Sequence, residues 1–439
     1  MYTSVQTANI MPRQNSAQHR NEVDEFDIEI NSRDDKKLMY VNRDRGGCCR
    51  YYKCILFILF LGVALAVAFE FFIDIEQVQN FFSSTPSVDD AAELDAEKRN
   101  SEDGNLRFRS IVNDQGRSVL RFKILQLADL HFGENPWTDW GPAQDRRSSI
   151  AIQSYIRDEN PDLVILSGDQ LTSKNIDANA TMYHSKIIAA MLEAKPEIKW
   201  ATIFGNHDDE MYRRTYDDGT IVQHDAKTSR EDLVALDMAY KGSYTLQGGA
   251  PDFVSGTSNY VLSIQGDTDT DVLLNTYFFD SGGGHIAKMN HQNQITWFRN
   301  QQNQTPKIPS VAFQHIPTSE DAFAYRGNIC GGPSGEGVSP VNTDSGLMQA
   351  LIDDGSVHFM SVGHNHGNDY CCPANGNINS VLSLCFGRHS GHGGYSTYKD
   401  GVKWDKGARI YMMEYEEDRF NWSSYVRTEN GNIEDEYQP

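Results

Sequence analysis

The sequence predicts an α/β domain with a largely parallel sheet, preceded by a single transmembrane helix. Three observations support this prediction. Beyond residue 118, short apolar runs typical of buried strands alternate with segments of helical periodicity. Most of these apolar runs end in an ionisable or amide side chain. Upstream, one predominantly apolar segment is long enough to span a bilayer. Strand–helix alternation with crossovers is typical of parallel sheets, because each returning helix covers a sheet face.

The first 74 residues are predicted to form a cytosolic tail and a membrane anchor. Residues 1–52 are polar with no sustained hydrophobic period, which indicates a disordered tail. Residues 53–74 follow, and residues 54–69 within them are uncharged. A transmembrane helix needs about 17–25 residues, so this segment is short but sufficient. The alternative is a cleaved signal peptide, which would lie nearer the N-terminus and precede a small-residue cleavage pattern. We therefore expect a signal anchor.

Charges on either side of the anchor predict its orientation. Basic residues precede it and acidic residues follow it, namely Arg43, Arg45, Arg50 and Lys53 before, and Glu70, Asp74 and Glu76 after. Because positive charge stays on the cytosolic side, the long C-terminal part is expected in the lumen or outside the cell. Three glycosylation sequons agree with this placement, at Asn179, Asn303 and Asn421. We expect a single-pass type II membrane protein of the secretory pathway or plasma membrane, with residues 75–118 as a stalk.

The net charge and the cysteines of the chain restrict its possible partners and indicate disulfide bonds. Its formal net charge is −22, which argues against nucleic acid as a partner, because a phosphate backbone would be repelled. Any anionic substrate must be attracted by a local positive centre. Four cysteines follow the anchor segment, at Cys330, Cys371, Cys372 and Cys385. An oxidising compartment predicts one or two disulfides among them, and their pairing is left open.

The globular domain is predicted to cover residues 119–427, followed by a C-terminal tail at 428–439. Buried strands are expected in the apolar runs VLRFKILQLAD (119–129), DLVILSGD (162–169), WATIFGNHD (200–208), VLLNTYFFDSG (272–282), SVAFQHIP (310–317) and VHFMSVGHNH (357–366). Helical periodicity predicts helices at residues 146–158, 180–193, 230–240, 292–302 and 343–353. The last segment, ARIYMMEYEEDRFNWSSYVRT (408–428), is typical of a closing antiparallel hairpin.

Polar side chains follow the predicted strands, at the points where those strands end. The set comprises Asp129, His131, Asp169, Asn206, His207, Asp208, His315, His364 and His366. Ligand sites in open α/β sheets collect outside the carboxyl ends of the strands, so we expect these side chains to lie together. Carboxylate, imidazole and amide ligands suit zinc, manganese or iron. Two such ions can clamp a phosphoryl group and activate a water, and Asp169 is the best candidate for a carboxylate that both ions share.

In the order D-x-H, G-D-x, G-N-H-D, H and G-H-x-H, these blocks resemble the calcineurin-like metallophosphoesterase superfamily over residues 119–420. The resemblance implies a β-sandwich flanked by helices, with two divalent or trivalent metal ions at one edge. It assigns one metal to Asp129, His131, Asp169 and His366, and the other to Asp169, Asn206, His315 and His364. It also implies that His207 contacts the phosphate and protonates the leaving oxygen. Asp208 would orient the loop or that histidine.

A finer resemblance is to the purple-acid-phosphatase-related branch that includes the dosage-dependent cell cycle regulator-like phosphatases. It is carried by FQHIP (313–317), GHNHGNDYC (363–371) and LCFGRHSGHGGYSTY (384–398). Two positions depart from purple acid phosphatases themselves. Thr172 stands where they carry a tyrosine that gives their colour, and His131 stands where they carry a glycine. We therefore expect a colourless enzyme whose first metal need not be ferric iron.

The function that this pattern predicts is hydrolysis of a phosphate monoester, in a phosphoprotein or a small molecule, by a metal-activated water. A phosphodiesterase acting on nucleotides or sphingomyelin-like lipids is the nearest alternative. No segment before residue 118 resembles a saposin-type lipid-binding domain, which weakens the lipid version. The third hypothesis is a surface protein that metals stabilise without catalysis. The expected partners are a phosphorylated substrate and, through the anchor, a membrane; the oligomeric state is left open.

Overall fold

The computed structural model describes residues 105–439, except 114, 249–254, 267–270, 305–306, 397, 399–400, 402 and 418. The predicted tail at 1–52, the predicted anchor at 53–74 and most of the predicted stalk lie outside the described residues. Within the described part of the chain, none of the helices is both long and apolar enough to cross a membrane.

Six α-helices are present in the described ranges, and five of them overlap helices predicted from the sequence. They are α1 (Trp140–Glu159), α2 (Ala180–Ala194), α3 (Arg230–Met238), α4 (Gln292–Gln304), the short α5 (Glu320–Phe323) and α6 (Leu347–Asp354) in the described ranges. Helix α1 begins six residues before the predicted start at 146. Its first turn contains Gly141 and Pro142, which suggest a break, but proline is tolerated there because first-turn amides have no intrahelical acceptor.

The strands are short and alternate with these helices along the chain. They are β1 (Arg109–Val112), β2 (Ser118–Leu127), β3 (Leu163–Ser167), β4 (Trp200–Ile203), β5 (Tyr212–Thr215), β6 (Ile221–His224), β7 (Tyr260–Gln265), β8 (Val272–Phe279), β9 (Met289–Asn290), β10 (Ser310–Gln314), β11 (Thr343–Asp344), β12 (Val357–Val362), β13 (Cys371–Pro373), β14 (Ser383–Phe386), β15 (Gly407–Glu416), β16 (Arg419–Thr428) and β17 (Ile433–Tyr437).

Two mixed sheets hold most of these strands. The first has the order β17-β16-β15-β2-β3-β4, with β1 paired to β2 outside this path. In it β2, β3 and β4 are parallel, and the strands from β15 to β17 are antiparallel. The second has the order β13-β14-β12-β10-β8-β7, in which the four central strands are parallel. The predicted α/β class, with parallel central strands and a closing antiparallel hairpin, is therefore confirmed.

The two sheets pack face to face, with helices on their outer faces. Apolar side chains of both sheets form the inner core, including Phe122, Ile165, Phe278, Phe313 and Phe359. A second core packs α1, α2 and α3 against the outer face of the first sheet. A third packs α4 and α6 against the outer face of the second sheet. Each sheet therefore buries both faces, which is why its central strands are almost continuously apolar.

A buried polar cluster joins the two sheets beneath their shared edge. The hydroxyl of Ser361 on β12 donates to Oε1 of Gln126 on β2 at 2.6 Å. Tyr411 on β15 donates to Ser361 at 2.7 Å, and the Gln126 amide donates to Ser167 on β3 at 3.0 Å. Because each of these buried groups has a partner, the cluster fixes the register between sheets rather than weakening the core.

Two predicted boundaries of the domain differ from the structure. Strand β1 pairs with β2, and Leu106 and Phe108 are buried in the inner core, so the fold includes the end of the predicted stalk. Strand β17 pairs with β16 inside the segment predicted as a C-terminal tail. Its Tyr437 is buried in the inner core. Both segments are short edge strands with many charged neighbours, which gives them a weak apolar pattern.

The start of a second helix, α6, also differs from its prediction, for a reason visible in its cap. Residues 343–353 were predicted as helix, but Thr343–Asp344 pairs with β9 and the helix begins at Leu347. The Asp344 carboxylate accepts from the backbone N–H groups of Leu347 at 2.7 Å and Gly346 at 3.1 Å. The helix ends at Asp354, one residue beyond the predicted end, and Gly355 follows it with φ 72°, a left-handed conformation that favours glycine.

Candidate metal centre

Both sheets direct their parallel strand ends toward one place. Asp129 and His131 follow β2, Asp169 follows β3, and Asn206 to Asp208 follow β4, three neighbouring parallel strands of the first sheet. In the second sheet, His315 follows β10, and His364 and His366 follow its parallel neighbour β12. The carboxyl ends of parallel strands meet at the same sheet edge, so strands distant in sequence deliver their polar residues to one site.

The first cluster of potential ligands contains Asp129, His131 and His366. Their ligand atoms all lie within 4.8 Å of one another, and all three side chains are buried. His131 Nε2 and His366 Nε2 are 3.1 Å apart, and His366 Nε2 is 3.5 Å from Asp129 Oδ1. Nδ1 of His366 faces the carbonyl oxygen of Tyr395 at 2.9 Å, so it carries the proton and Nε2 presents a lone pair. This arrangement can hold a cation.

The second cluster contains Asp169, His315 and His364, again with ligand atoms within 4.8 Å of one another. His315 Nε2 lies 3.0 Å from Asp169 Oδ2. The same carboxylate oxygen lies 3.9 Å from His131 Nε2, which belongs to the first cluster. Asp169 therefore lies between the two clusters, where a carboxylate shared by two ions would have to lie.

Unsatisfied buried atoms test whether these residues fit metal ions. Asp169 Oδ2, His315 Nε2 and Asn206 Oδ1 are all buried without a hydrogen-bond partner among the described residues. The 3.0 Å contact between Asp169 and His315 is thus an electrostatic approach, not an aligned hydrogen bond. His315 Nδ1 faces the carbonyl oxygen of Ser167 at 3.0 Å, so Nε2 is the nitrogen directed toward the site. Buried groups of this kind are costly unless a cation satisfies them, so the residues present fit metal ions.

The pKa values of the cluster residues also suit the binding of metal ions. Burial lowers the pKa of His364 to about 3, and it lowers the pKa of His131 well below its usual value, so both imidazoles are neutral, as metal ligands must be. Burial alone would raise the pKa of Asp169, but His315 and His207 outweigh it and hold that pKa well below its usual range. Burial would likewise lower the pKa of His315, yet Asp169 raises it to about 9. The site therefore favours positive charge beside Asp169.

Backbone strain is concentrated at the same residues. Asp129, His131, Asp169 and His364 have φ values of 57°, 51°, 52° and 70°. Non-glycine residues in this left-handed region cost on the order of 1 kcal/mol each. Gly205 is needed for this close packing, because a Cβ at that position would overlap the Asp169 carboxylate. Strain of this kind persists where the surrounding fold holds functional side chains in fixed positions.

His207 lies at the mouth of the site and is not part of either cluster. Its backbone N–H donates to Asp169 Oδ1 at 2.7 Å, and its side chain is 26% exposed. The ring centroid is 5.2 Å from that of His131. Nδ1 of His207 lies 2.5 Å from Oε2 of Glu210. A histidine in this position can reach a ligand in the cleft without binding a metal itself.

Asp208 lies behind the site, away from the cleft. It is fully buried, and its two carboxylate oxygens accept from the backbone N–H groups of Gly205 at 2.7 Å, Leu171 at 2.9 Å and Asp169 at 3.0 Å. Burial, with Asp169 nearby, raises the pKa of Asp208 to about 6. Of the two orienting roles predicted for Asp208, these contacts fit the loop, since the carboxylate joins the turns after β3 and β4. A direct catalytic contact does not fit this position.

A cleft of about 430 Å³ opens over the two clusters, and several of its lining residues were missed by the sequence analysis. They are Glu134, Lys174, Glu336 and Tyr395, together with Glu210 next to His207. The Tyr395 ring stacks on His366 at 4.1 Å, and its hydroxyl donates to Glu336 at 2.9 Å. Thr172, at the position of the missing tyrosine, has its hydroxyl 3.1 Å from His131 Nδ1. These residues lie in loops without periodicity, so only Glu210, three residues after His207, had a local signal.

The four cysteines form two disulfides and do not join the site. Cys371 pairs with Cys385, and Cys330 pairs with Cys372. The first joins directly opposite residues of β13 and β14. The second joins β13 to the loop that leads to Glu336. The predicted disulfides are therefore present, with the pairing that the sequence alone left open.

Comparison with known proteins identifies relatives of this chain. Residues 122–368 match the calcineurin-like phosphoesterase family. Over 328 residues the chain is 29% identical to probable inactive purple acid phosphatase 29 from Arabidopsis thaliana, covering 68% of this chain and 78% of that protein. It is 28% identical over 292 residues to phosphatase DCR2 from Saccharomyces cerevisiae, covering 61% of this chain and 47% of that protein. Among solved structures, a purple acid phosphatase from yellow lupin aligns with a TM-score of 0.46 and 13% identity, covering 75% of this chain and 58% of that one.

Proposed function

This chain belongs to the calcineurin-like phosphoesterase family, in its purple-acid-phosphatase-related branch, and we propose that it hydrolyses phosphate monoesters at a dinuclear metal centre. One observation carries the proposal. Asp169 Oδ2 is buried without a hydrogen-bond partner among the described residues, 3.0 Å from His315 Nε2 and 3.9 Å from His131 Nε2. Each histidine belongs to a different cluster, so one carboxylate can serve two ions.

Each residue of the site would have one of three roles: binding metal, donating a proton or supporting the loops. Asp129, His131, Asp169 and His366 would hold one metal, and Asp169, Asn206, His315 and His364 the other. Bound metals supply a nucleophilic water and positive charge for the phosphoryl oxygens. His207, at the mouth of the cleft, would contact the phosphate and give a proton to the leaving oxygen. Asp208 would keep the two loops in place through its three backbone hydrogen bonds.

The relatives of this chain favour phosphate monoesters over diesters as the proposed substrate class. Both the Arabidopsis and the yeast protein are named as phosphatases, the former as an inactive one. The structure supports hydrolysis in this chain, since six of the seven proposed ligands form the two clusters and His207 lines the cleft above them. The seventh, Asn206, follows β4 and has a buried Oδ1 without a hydrogen-bond partner among the described residues. A phosphoprotein or a small phosphate ester would be the substrate. Zinc, manganese and iron are all compatible with the ligand set.

The test compares p-nitrophenyl phosphate with bis-p-nitrophenyl phosphate, using the purified full chain loaded with each metal. We expect turnover of the monoester at least about tenfold faster, since only the monoester leaves three phosphoryl oxygens for the metals and His207. Turnover of the diester alone would establish the phosphodiesterase alternative. Turnover of neither substrate, with two metals bound, would favour the non-catalytic alternative.

A luminal or extracellular location, with a type II anchor at 53–74, is the companion proposal. Two disulfides support it, because they persist in oxidising compartments. Among the sequons, Asn179 and Asn421 are exposed and accessible to modification, whereas the side chain of Asn303 lies outside the described residues. Digestion of the cell-expressed protein with a glycosidase specific for N-glycans would lower its apparent mass if the location is correct.

A further inference from the structure

We infer that Glu210 is a positioning residue for His207, and this inference rests on the proposed function of the site. Glu210 Oε2 lies 2.5 Å from His207 Nδ1. The two side chains are 28% and 26% exposed, so their contact is at the cleft mouth and not in the core. A contact between partly exposed charged groups adds little stability, which makes a purely structural role a poor explanation.

The backbone around both residues is already fixed by other bonds. The N–H of His207 donates to Asp169 Oδ1 at 2.7 Å, and its carbonyl accepts from the N–H of Ser173 at 3.0 Å. The carbonyl of Glu210 accepts from the Ser173 hydroxyl at 3.2 Å. With both main chains held by the same turn, the remaining freedom of His207 is rotation of its side chain. Glu210 is the group that restricts this rotation.

Three carboxylates follow His207 in sequence, and the other two, Asp208 and Asp209, cannot take this role. Asp208 is occupied by three backbone N–H groups. Asp209 is buried and paired with Arg230 at 2.9 Å and with His285. Only Glu210 reaches the imidazole. Lys174 Nζ lies 4.0 Å from Glu210 Oε2 and is 44% exposed, so it is a weak competitor for the same oxygen.

The contact determines which nitrogen of His207 is available. Nδ1–H donates to the Glu210 carboxylate, so Nε2 is the nitrogen left for the leaving oxygen. Among the described residues, His207 Nε2 has no hydrogen bond within the protein. As a water forms its new bond to phosphorus and the P–O bond to the leaving group breaks, His207, protonated on both nitrogens, gives its Nε2 proton to the departing oxygen and is left as the neutral Nδ1–H imidazole. The bonding pair of the broken bond stays on the leaving oxygen. Glu210 holds the ring so that this transfer is aligned.

Leaving groups of different basicity separate this role from a structural one. Glycerol phosphate releases a strongly basic alkoxide that needs the proton, whereas p-nitrophenyl phosphate releases a stable phenolate that does not. Replacement Glu210→Gln in the full chain should lower kcat for glycerol phosphate by about 10–100-fold, and for p-nitrophenyl phosphate by less than about threefold. His207→Ala should give the same selectivity, and the double variant should lose no more than His207→Ala alone. Glu210→Asp should recover part of the loss.

The matched control is Asp177→Asn, because Asp177 also contacts a histidine, His224 at 3.3 Å, on the surface outside the metal clusters. It should leave both rates unchanged. A second readout needs no activity: at a pH where His207 is neutral, its ¹⁵N chemical shifts should report protonated Nδ1 in the parent chain and a mixture of tautomers in Glu210→Gln. Equal loss of both rates, additive losses in the double variant, or an unchanged tautomer would overturn the inference. If the parent chain hydrolyses neither ester, the proposed function fails, while the tautomer measurement still decides the role of Glu210.

Discussion

At the residue scale, the candidate centre depends on hydrogen bonds that decide which atom each side chain presents. His315 is oriented by the Ser167 carbonyl, His366 by the Tyr395 carbonyl, and His131 by the Thr172 hydroxyl. In each case Nδ1 is engaged, and Nε2 faces the centre. Outer partners of this kind commonly change metal affinity by about 10–100-fold when removed. The chain therefore fixes its proposed ligands before any ion binds.

Asp208→Asn tests the support of the loops at the same scale. An asparagine has one acceptor oxygen and an NH2 group, so at least one of the three backbone N–H groups now facing Asp208 would meet a donor. We expect metal affinity to fall by about 10–100-fold, measured by titration with zinc. The control is Asp218→Asn, an exposed carboxylate that accepts from a single N–H, of Thr220 at 2.9 Å. Normal metal affinity with lost turnover would instead place Asp208 in the chemistry.

At the element scale, one disulfide connects the sheet to the rim of the cleft. Cys330–Cys372 joins β13 to the loop after α5, and Gly331 and Cys371 exchange backbone hydrogen bonds of 2.9 Å beside it. The same loop delivers Glu336, which accepts from the N–H of Gly367 at 2.8 Å and from the Tyr395 hydroxyl. Tyr395 in turn covers His366. The disulfide therefore restrains a loop that contacts the residues around His366.

Replacing Cys330 and Cys372 by serine tests that restraint. The two cysteines are 42 residues apart. A disulfide closing a loop of this length stabilises by about 2–4 kcal/mol, so the free energy of unfolding should fall by that amount in urea titrations. We also expect weaker zinc binding, because the loop that carries Glu336 gains freedom. The matched variant is Cys371→Ser with Cys385→Ser, which removes the bond inside the β13–β14 pair and leaves the rim loop attached. Equal zinc affinity in both double variants would contradict the role assigned to the loop that carries Glu336.

Elements with strong local patterns were predictable from sequence, and those defined by tertiary contacts were not. Strand β3 is buried throughout and apolar up to Ser167, and Asp169 follows two residues after it, so both its existence and its polar end could be predicted. Strands β1 and β17 are short and at least half of their residues are polar, so only pairing with their neighbours reveals them. The same applies to the site. Asp169 and His315 could be predicted from their strands, whereas Tyr395 and Glu336 reach the cleft through irregular loops that follow no periodicity.

At the scale of the whole molecule, a local positive centre has to offset an acidic chain. The formal net charge is −22, which would repel a phosphate ester at long range. Glu134, Glu210 and Glu336 add negative charge near the cleft, and Lys174 is the cation that lines it among the described residues. Two bound metals would reverse this balance at the point where the strands of both sheets end. We therefore expect binding of the substrate, and not only the chemistry, to depend on metal.

The most direct test of this account is the metal content of the purified full chain, measured by mass spectrometry of the elements, in parallel with turnover of p-nitrophenyl phosphate. We expect two ions per chain, loss of turnover on chelation and its return on adding metal. Asp169→Asn should bind less than one ion and be inactive, because both clusters lose the carboxylate between them. Two tightly bound ions in Asp169→Asn, or undiminished turnover in the metal-free chain, would contradict a centre built on Asp169.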